Sequence, residues 1–332
     1  MTLEQVAKRA RVSTATVSRV LNDVGVVKET TRKRVLQALT DLNYHPNLHA
    51  RTLAGGNSRT VGMIVSNVSN PFFMDVFRAL DGAARESGYD VLVEHTDYDA
   101  SQLKAGVESL LSNRVSGLAI VVSEMAPAVL AKVHASKLPV VFYDVGEPGD
   151  SITNIRVRYE LGMRRVVQYL YSLGHRRMAF VGHHESLSPL QVRRTAFVET
   201  VSQYGGEVDY TVAVDVDNPA GGANAARELL TSPFEPTAIV CVNDYMAIGV
   251  LREVRRQGLS VPGDICVTGF DNIELSEFTH PALTTVNIPR AQIGRLAFDA
   301  IMSARQANQA PREILLDPEL VVRDSTGPAR RR

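Results

Sequence analysis

From Thr60 onward the sequence alternates short apolar, β-branched runs with amphipathic stretches of about a dozen residues, and nothing else in the chain constrains its fold as strongly. The runs are 61–66, 91–94, 117–122, 140–143, 178–182, 238–242 and 265–270. Strands that read as continuous apolar segments are buried on both faces, which calls for parallel pairing with helices on either side. The expected body is therefore α/β, built as two doubly wound parallel subdomains. In such sheets ligands bind beyond the carboxyl ends of the strands. The residues placed there are Asn70-Pro71-Phe72-Phe73, Asp144, Asn243-Asp244 and Asp271-Asn272. Carboxylates and amides exchange hydrogen bonds with paired hydroxyls, and an aromatic ring offers an apolar face, so these residues suit a sugar-like or nucleoside-like ligand. Asp244 is better explained as the cap of the helix that follows it.

A chain of 332 residues with 45% apolar and 22% charged side chains has core enough for two or three folding units and is not a disordered, collagen-like or disulfide-stapled scaffold. Cys241 and Cys266 both fall inside apolar runs, which suits buried thiols in a reducing compartment. The apolar runs fall far short of the ~18 residues of a membrane helix, and the opening Met1-Thr2-Leu3-Glu4-Gln5 lacks the core of a signal peptide. A cytoplasmic location without a membrane partner is expected.

The 36 basic and 36 acidic side chains cancel over the whole chain but not along it. Residues 1–59 carry ten Lys and Arg against four Asp and Glu, whereas residues 60–332 carry 26 against 32. A basic head on an acidic body is suited to attraction of the head alone to a polyanion. Thr2 and Gln5 have the spacing of a capping box, and Leu3, Val6, Ala7 and Ala10 then form one helical stripe. Ser13 can cap a second helix with the stripe Val17, Val20 and Leu21, and Val35, Ala38, Leu39 and Leu42 form a third. Two short helices joined by a three-residue turn make a helix-turn-helix, the unit that fits a major groove roughly 12 Å wide. The outward face of the second helix carries Thr14, Ala15, Ser18, Arg19 and Asn22 and no carboxylate. Arg19 is long enough to pair with O6 and N7 of guanine. Residues 47–54 are too few to hold a helix alone in water, and Gly55-Gly56-Asn57-Ser58 follows them as a tether.

The run Val12-Ser13-Thr14-Ala15-Thr16-Val17-Ser18-Arg19-Val20-Leu21-Asn22 resembles the recognition-helix signature of the lactose/galactose repressor (LacI/GalR) family. Residues 42–47 and 50–54 are similar to that family's hinge segment, which becomes a short helix only on operator DNA. The resemblance implies base-edge contacts from Thr14, Ala15, Ser18 and Arg19 and phosphate contacts from Ser13, Thr16 and Asn22. It also implies a minor-groove hinge of Asn47, Ala50, Leu53 and Ala54, with Leu53 as the wedge that unstacks a base step. In the body, residues 70–73, 173–177, 236–247, 269–271 and 281–285 are similar to the family's regulatory domain, which is itself of the periplasmic-binding-protein type. That likeness implies Phe72 and Phe73 at a cleft wall, with Asp144, Arg193, Asn243 and Asp271 as polar contacts to a small-molecule effector, a sugar or sugar-derived metabolite. It further implies dimerisation through the body and no cofactor. The expected division is a head at 1–45, a hinge and linker at 46–59, and an effector-binding and dimerisation domain at 60–332. Within that domain the N-subdomain takes 60–158 and 288–318, and the C-subdomain 159–287 and 319–325.

One departure from the family pattern bears on the ligand. Where the family has Asp-Asn, this chain reads Ile155-Arg156-Val157-Arg158. On a strand Arg156 and Arg158 share a face, so if that face lines the cleft they form, with Arg193, a cationic pocket for an anionic effector. The alternative is that both are solvated or neutralised by nearby acids. After Val321-Val322-Arg323 there is no apolar heptad for a coiled coil, so a homodimer is expected in preference to a tetramer. The phosphate-cradling loop, nucleophile elbow and zinc-protease signatures of enzymes are missing. His183 and His184 point to opposite sides if extended and are expected on a surface loop, not at a metal. The function these features predict is sequence-specific, effector-controlled DNA binding by a transcriptional repressor. A cytoplasmic solute receptor without a regulatory role is the alternative.

Overall fold

The computed structural model describes residues 2–21, 27–44, 58–145, 149, 151–183, 187–305 and 312–330. The chain divides between Ser58 and Arg59 into two compact units.

The first unit holds helices α1 (Leu3–Ala10), α2 (Thr14–Leu21) and α3 (Glu29–Asp41). The capping box forms as its spacing predicts: Gln5 N donates to the Thr2 hydroxyl at 3.4 Å and Thr2 N to Gln5 Oε1 at 2.9 Å. Arg11, with φ 55°, turns the chain out of α1. Thr16 N then donates to Ser13 Oγ at 3.2 Å and opens α2. Val6, Ala7, Ala10, Val17, Val20, Val35 and Ala38 are buried together, with Leu3, Leu21, Leu39 and Leu42 packed around them. Arg9 and Asp41, 2.7 Å apart, tie α1 to the end of α3.

The second unit begins with β1 (Thr60–Val65), α4 (Pro71–Glu86), β2 (Asp90–His95), α5 (Ala100–Ser112), β3 (Leu118–Val121), α6 (Pro127–Ser136), β4 (Val140–Tyr143) and β5 (Ile152–Val157). The chain then crosses over to α7 (Tyr159–Ser172), β6 (Arg177–His183), α8 (Ser188–Ser202), β7 (Asp209–Asp215), α9 (Pro219–Thr231), β8 (Ala238–Cys241), α10 (Asp244–Arg256), β9 (Cys266–Thr268), α11 (Leu275–Phe278) and β10 (Thr285–Asn287). It returns through α12 (Arg290–Arg305) and β11 (Arg312–Leu316), and crosses again to β12 (Glu319–Val321). The first sheet has the order β11-β5-β4-β3-β1-β2 and the second β7-β6-β8-β9, every pair parallel. An antiparallel β10-β12 pair lies beside the crossovers.

The period of two along β1 separates the faces of the first sheet. Val61, Met63 and Val65 pack with Val76 and Leu80 of α4 and Ile293 and Ala297 of α12. Ile64 packs with Leu103 and Val107 of α5 on the other side. Helices α4 and α12 approach so closely that a Cβ on Gly294 would stand 2.3 Å from the Val76 carbonyl oxygen. Cys241 and Cys266 are free thiols, both buried, as their apolar settings predict.

Candidate functional site

In the head, α2 turns Val17 and Val20 inward and leaves Thr14, Ala15 and Arg19 exposed, with Ser18 half-buried between them. Ser13 and Thr16 join hydroxyls at 3.0 Å at the start of the helix. The face is the acid-free surface that the sequence predicts, since Glu and Asp are absent from α2. Asn22 and the hinge residues Asn47, Ala50, Leu53 and Ala54 lie outside the described residues.

In the body, strand ends of both sheets converge on a narrow cleft, open at its mouth, whose empty space together with the solvent at that mouth is about 370 Å³. After β1, Asn70 accepts a hydrogen bond from Phe72 N at 3.1 Å and caps α4, and Pro71 begins the helix. This fixes Phe72 and Phe73 in the first turn, edge-to-face with centroids 5.3 Å apart, both lining the cavity as expected. Tyr143 ends β4 with its ring 5.8 Å from Phe72. Its hydroxyl lies 2.7 Å from that of Tyr159, the first residue of α7.

Asp144, expected to touch the effector, stands behind this tyrosine pair and is not among the residues lining the cavity. It accepts from the Tyr159 hydroxyl at 2.5 Å and from Val157 N at 2.9 Å. Burial pushes its carboxyl up to about 6 against the pull of both bonds. Asp144 thus positions Tyr159.

From the second sheet come Arg193 on α8 and Asp271 after β9. They form an ion pair at 3.0 Å with side chains only 5% and 4% exposed. Arg193 also donates to the Val242 carbonyl at 2.8 Å and lies 4.4 Å from the ring centres of both Tyr159 and Phe270. Burial pushes Asp271 up to about 6 even beside this guanidinium, while Arg193, disfavoured by burial, is held charged by Asp271 and the two tyrosines. Arg193 Nε is buried without a hydrogen-bond partner among the described residues, whereas Asp271 Oδ1 is the oxygen that faces Arg193 in the ion pair. A polar atom left without a partner costs about 1–3 kcal/mol, and such an atom in a lined cavity marks a place where a ligand makes bonds.

Asn243 caps α10 by accepting from Met246 N at 2.9 Å, and its amide donates to Asp217 at 2.6 Å. The cap expected at Asp244 is thereby corrected by one residue. Asp244 is instead fully buried, accepting from Ile273 N at 2.8 Å and the Thr285 hydroxyl at 2.5 Å. Burial and the neighbouring Asp271 push its carboxyl up to about 8. Only glycine fits opposite, because a Cβ at Gly269 would stand 2.0 Å from the Asp244 carboxylate.

The cationic wall that Arg156 and Arg158 would form if their face lined the cleft is absent, and the alternative of exposed arginines neutralised by acids holds, with Glu313 and Asp317 as the partners. Strand β5 ends at Val157, so Arg158 heads α7 and the strand period that would align it with Arg156 no longer applies. Arg156 pairs with Glu313 at 3.2 Å and Arg158 pairs bidentately with Asp317, all four side chains substantially exposed. Neither arginine lines the cavity. His183 is likewise not on a surface loop: it is buried at the end of β6, its ring 5.7 Å from Tyr98. His184 lies outside the described residues.

Sequence reasoning missed Tyr98, Tyr143, Tyr159 and Asp217 as lining residues. Tyr98 follows β2, one of the expected strands, so the strand-end rule would have found it, whereas Asp217 follows β7, which the apolar runs do not reveal. Among the described residues no helix is long and apolar enough to cross a membrane, and no group of His, Cys, Asp or Glu is placed to hold a metal ion.

A helix-turn-helix with an acid-free recognition face, followed along the chain by a two-sheet unit with a lined cleft, defines a ligand-responsive regulator of transcription. The description "Bacterial regulatory proteins, lacI family" matches residues 2–47, and "Periplasmic binding protein-like domain" matches 167–326. The HTH-type transcriptional repressor PurR of Photobacterium profundum is 32% identical over 98% of this chain and 98% of its own. The HTH-type transcriptional repressor CytR of Escherichia coli is 32% identical over 98% of this chain and 96% of its own. Among solved structures, the Lac repressor dimer bound to operator and the anti-inducer ONPF matches with a TM-score of 0.86 and 30% identity, covering 98% of this chain and 99% of that one. This chain belongs to the lacI family of bacterial regulatory proteins, and it is a DNA-binding transcriptional regulator.

Proposed function

We propose that the protein is a homodimeric repressor whose hold on a pseudo-palindromic operator is set by an uncharged, hydroxyl-rich small molecule, a sugar or nucleoside, bound in the cleft. The observation that carries the ligand class is the charge of the lining. Arg193 is neutralised by Asp271 at 3.0 Å, Arg156 and Arg158 pair with acids elsewhere, and Asp217 adds a further carboxylate. An anion would need an uncompensated guanidinium or ammonium to grip it. Rings of Phe72, Phe73 and Tyr98 beside Asn243, Asp217 and Asp271 suit a flat apolar face fringed with hydroxyls.

Two heads would occupy successive major-groove half-sites, reading bases through Thr14, Ala15, Ser18 and Arg19, with Ser13, Thr16 and Asn22 on phosphates. Between them paired hinges would enter the minor groove, each using Leu53 as a wedge. Leu275 and Phe278, one helical turn apart on α11 and 49% and 74% exposed, offer an apolar contact for pairing of the bodies. An effector acts on such a dimer only through unequal affinity for its DNA-bound and DNA-free arrangements.

Isothermal titration with neutral sugars and nucleosides, each beside its phosphate ester, tests the ligand class. Tighter binding of the esters overturns it. A gel shift on a library of pseudo-palindromic duplexes tests the regulator, and binding should weaken steeply as salt rises.

A further inference from the structure

Among the contacts that join the two subdomains at the cleft, one is a hydroxyl-to-carboxylate bond made by a cleft-lining tyrosine. Tyr98, on the loop after β2, donates its hydroxyl to Asp217 Oδ2 at 2.5 Å, on the loop after β7, while the Asn243 amide holds Oδ1 at 2.6 Å. The Tyr98 ring also lies against His183 at the end of β6. Both oxygens of a carboxylate only 5% exposed are thus engaged by the protein's own donors. A phenol presents the same kind of O–H donor as a sugar hydroxyl, so Tyr98 occupies the place on Asp217 that a ligand hydroxyl would take.

The backbone at this point is strained. Asp97 and Tyr98 have φ of 49° and 64°, two consecutive side-chain-bearing residues in the left-handed region. Such a pair persists only where neighbouring contacts hold it. On one side Asp99 caps α5 by accepting from Ser101 N at 2.7 Å, and on the other Thr96 bonds the buried Glu124. The Tyr98–Asp217 bond is the hydrogen bond by which this loop reaches across the cleft.

We propose that Tyr98 is a clasp between the subdomains, which a ligand releases by presenting a hydroxyl donor to Asp217. The clasp rests on the reading of the cleft as the effector site for its purpose, but not for its existence. It makes hydroxyl content at one ligand position a condition for entry, and it couples that hydroxyl to the freedom of one subdomain against the other.

Hydrogen–deuterium exchange followed by mass spectrometry on the full chain, with no ligand or DNA added, tests it. Tyr98→Phe keeps the ring against His183 and removes only the donor. Amides of 96–99 and 215–218 should then exchange about tenfold faster, the loss expected for a hydrogen bond to a charged acceptor. Asp217→Leu, which keeps the bulk and removes both acceptor oxygens, should free 96–99 in the same way, and the two changes together should add little to either alone. Tyr171→Phe, which removes a 2.6 Å bond to Glu207 away from the cleft, serves as the control and should leave both segments unchanged. Unchanged exchange at 215–218 in Tyr98→Phe overturns the clasp, and so does uniform acceleration through both sheets, which would mark a general loss of stability. Since neither effector nor duplex enters the measurement, its failure leaves the repressor reading intact, and failure of the repressor reading leaves the exchange result standing.

Discussion

The head and the cleft hold their functional groups in opposite ways. Thr14, Ala15 and Arg19 stand exposed on a helix supported by a seven-residue core, whereas Phe72, Phe73, Arg193, Asn243 and Asp271 are each less than a tenth exposed. A duplex is large and densely charged, so a surface that meets it needs matching shape and cations but no enclosure. A small uncharged ligand draws its affinity from few contacts and must be surrounded. The consequence is a division of costs: changes on the head's face should alter binding with little effect on stability, while changes in the cleft should alter both together.

Breaking the buried ion pair gives the largest expected effect. Arg193→Ala leaves Asp271 facing Asp217 and Asp244 without its cation, and should cost about 3–5 kcal/mol of folding stability by urea denaturation. A loss below about 1 kcal/mol would show the pair to be solvated and the contrast with the head to be false.

Next comes pH. Asp244 is pushed up to about 8, so it holds its proton in the folded state through a range where the unfolded chain, near the ordinary carboxylate value of about 4, has released it. The folded state binds more protons in that window, and stability falls as pH rises, by up to about 1.4 kcal/mol per pH unit. The contribution is complete below about 4 and spent above 8. Asp144 and Asp271, both pushed up to about 6, steepen the fall below 6. Asp244→Asn should therefore flatten the slope between pH 6 and 8 and reduce, without abolishing, the steeper slope between 4 and 6 that Asp144 and Asp271 sustain. An unchanged slope would remove Asp244 as its source.

On the head, Arg19→Ala should cost about 1–3 kcal/mol of affinity for the preferred operator and relax base choice at one position, with stability unchanged. Equal weakening on all duplexes would make Arg19 a phosphate contact instead.

What could be read in the sequence follows the same division. The head's capping box, its α2 stripe and its outward face depend on neighbours within four residues, and local spacing predicts all three. The central strands β3, β4 and β8 are buried along their whole length and read as unbroken apolar runs. Strand β7 escaped because it is an edge, half-exposed, and its sequence Asp209-Tyr210-Thr211-Val212-Ala213-Val214-Asp215 mixes polar with apolar residues. Asp217 was lost with it. Asp144 and Arg158 were placed on the cavity because sequence gives a residue's position along a strand but not whether another side chain stands in front of it, as Tyr159 stands before Asp144. The Tyr98–Asp217 contact joins positions 119 residues apart and has no local signature.

Arg158 makes the smallest and sharpest test of the comparison. It carries the same guanidinium as Arg193 and, like it, pairs with an aspartate, but Arg158 and Asp317 are 49% and 48% exposed where Arg193 and Asp271 are 5% and 4%. Solvent screens the first pair and leaves the second bare, so identical chemistry should differ several-fold in its effect. Arg158→Ala should change stability by less than about 1 kcal/mol and leave ligand affinity by calorimetry unaltered. If it instead lowered affinity tenfold, Arg158 would have to leave Asp317 and turn into the cleft on binding. The lining would then gain an unpaired cation, and an anionic effector would be the better fit.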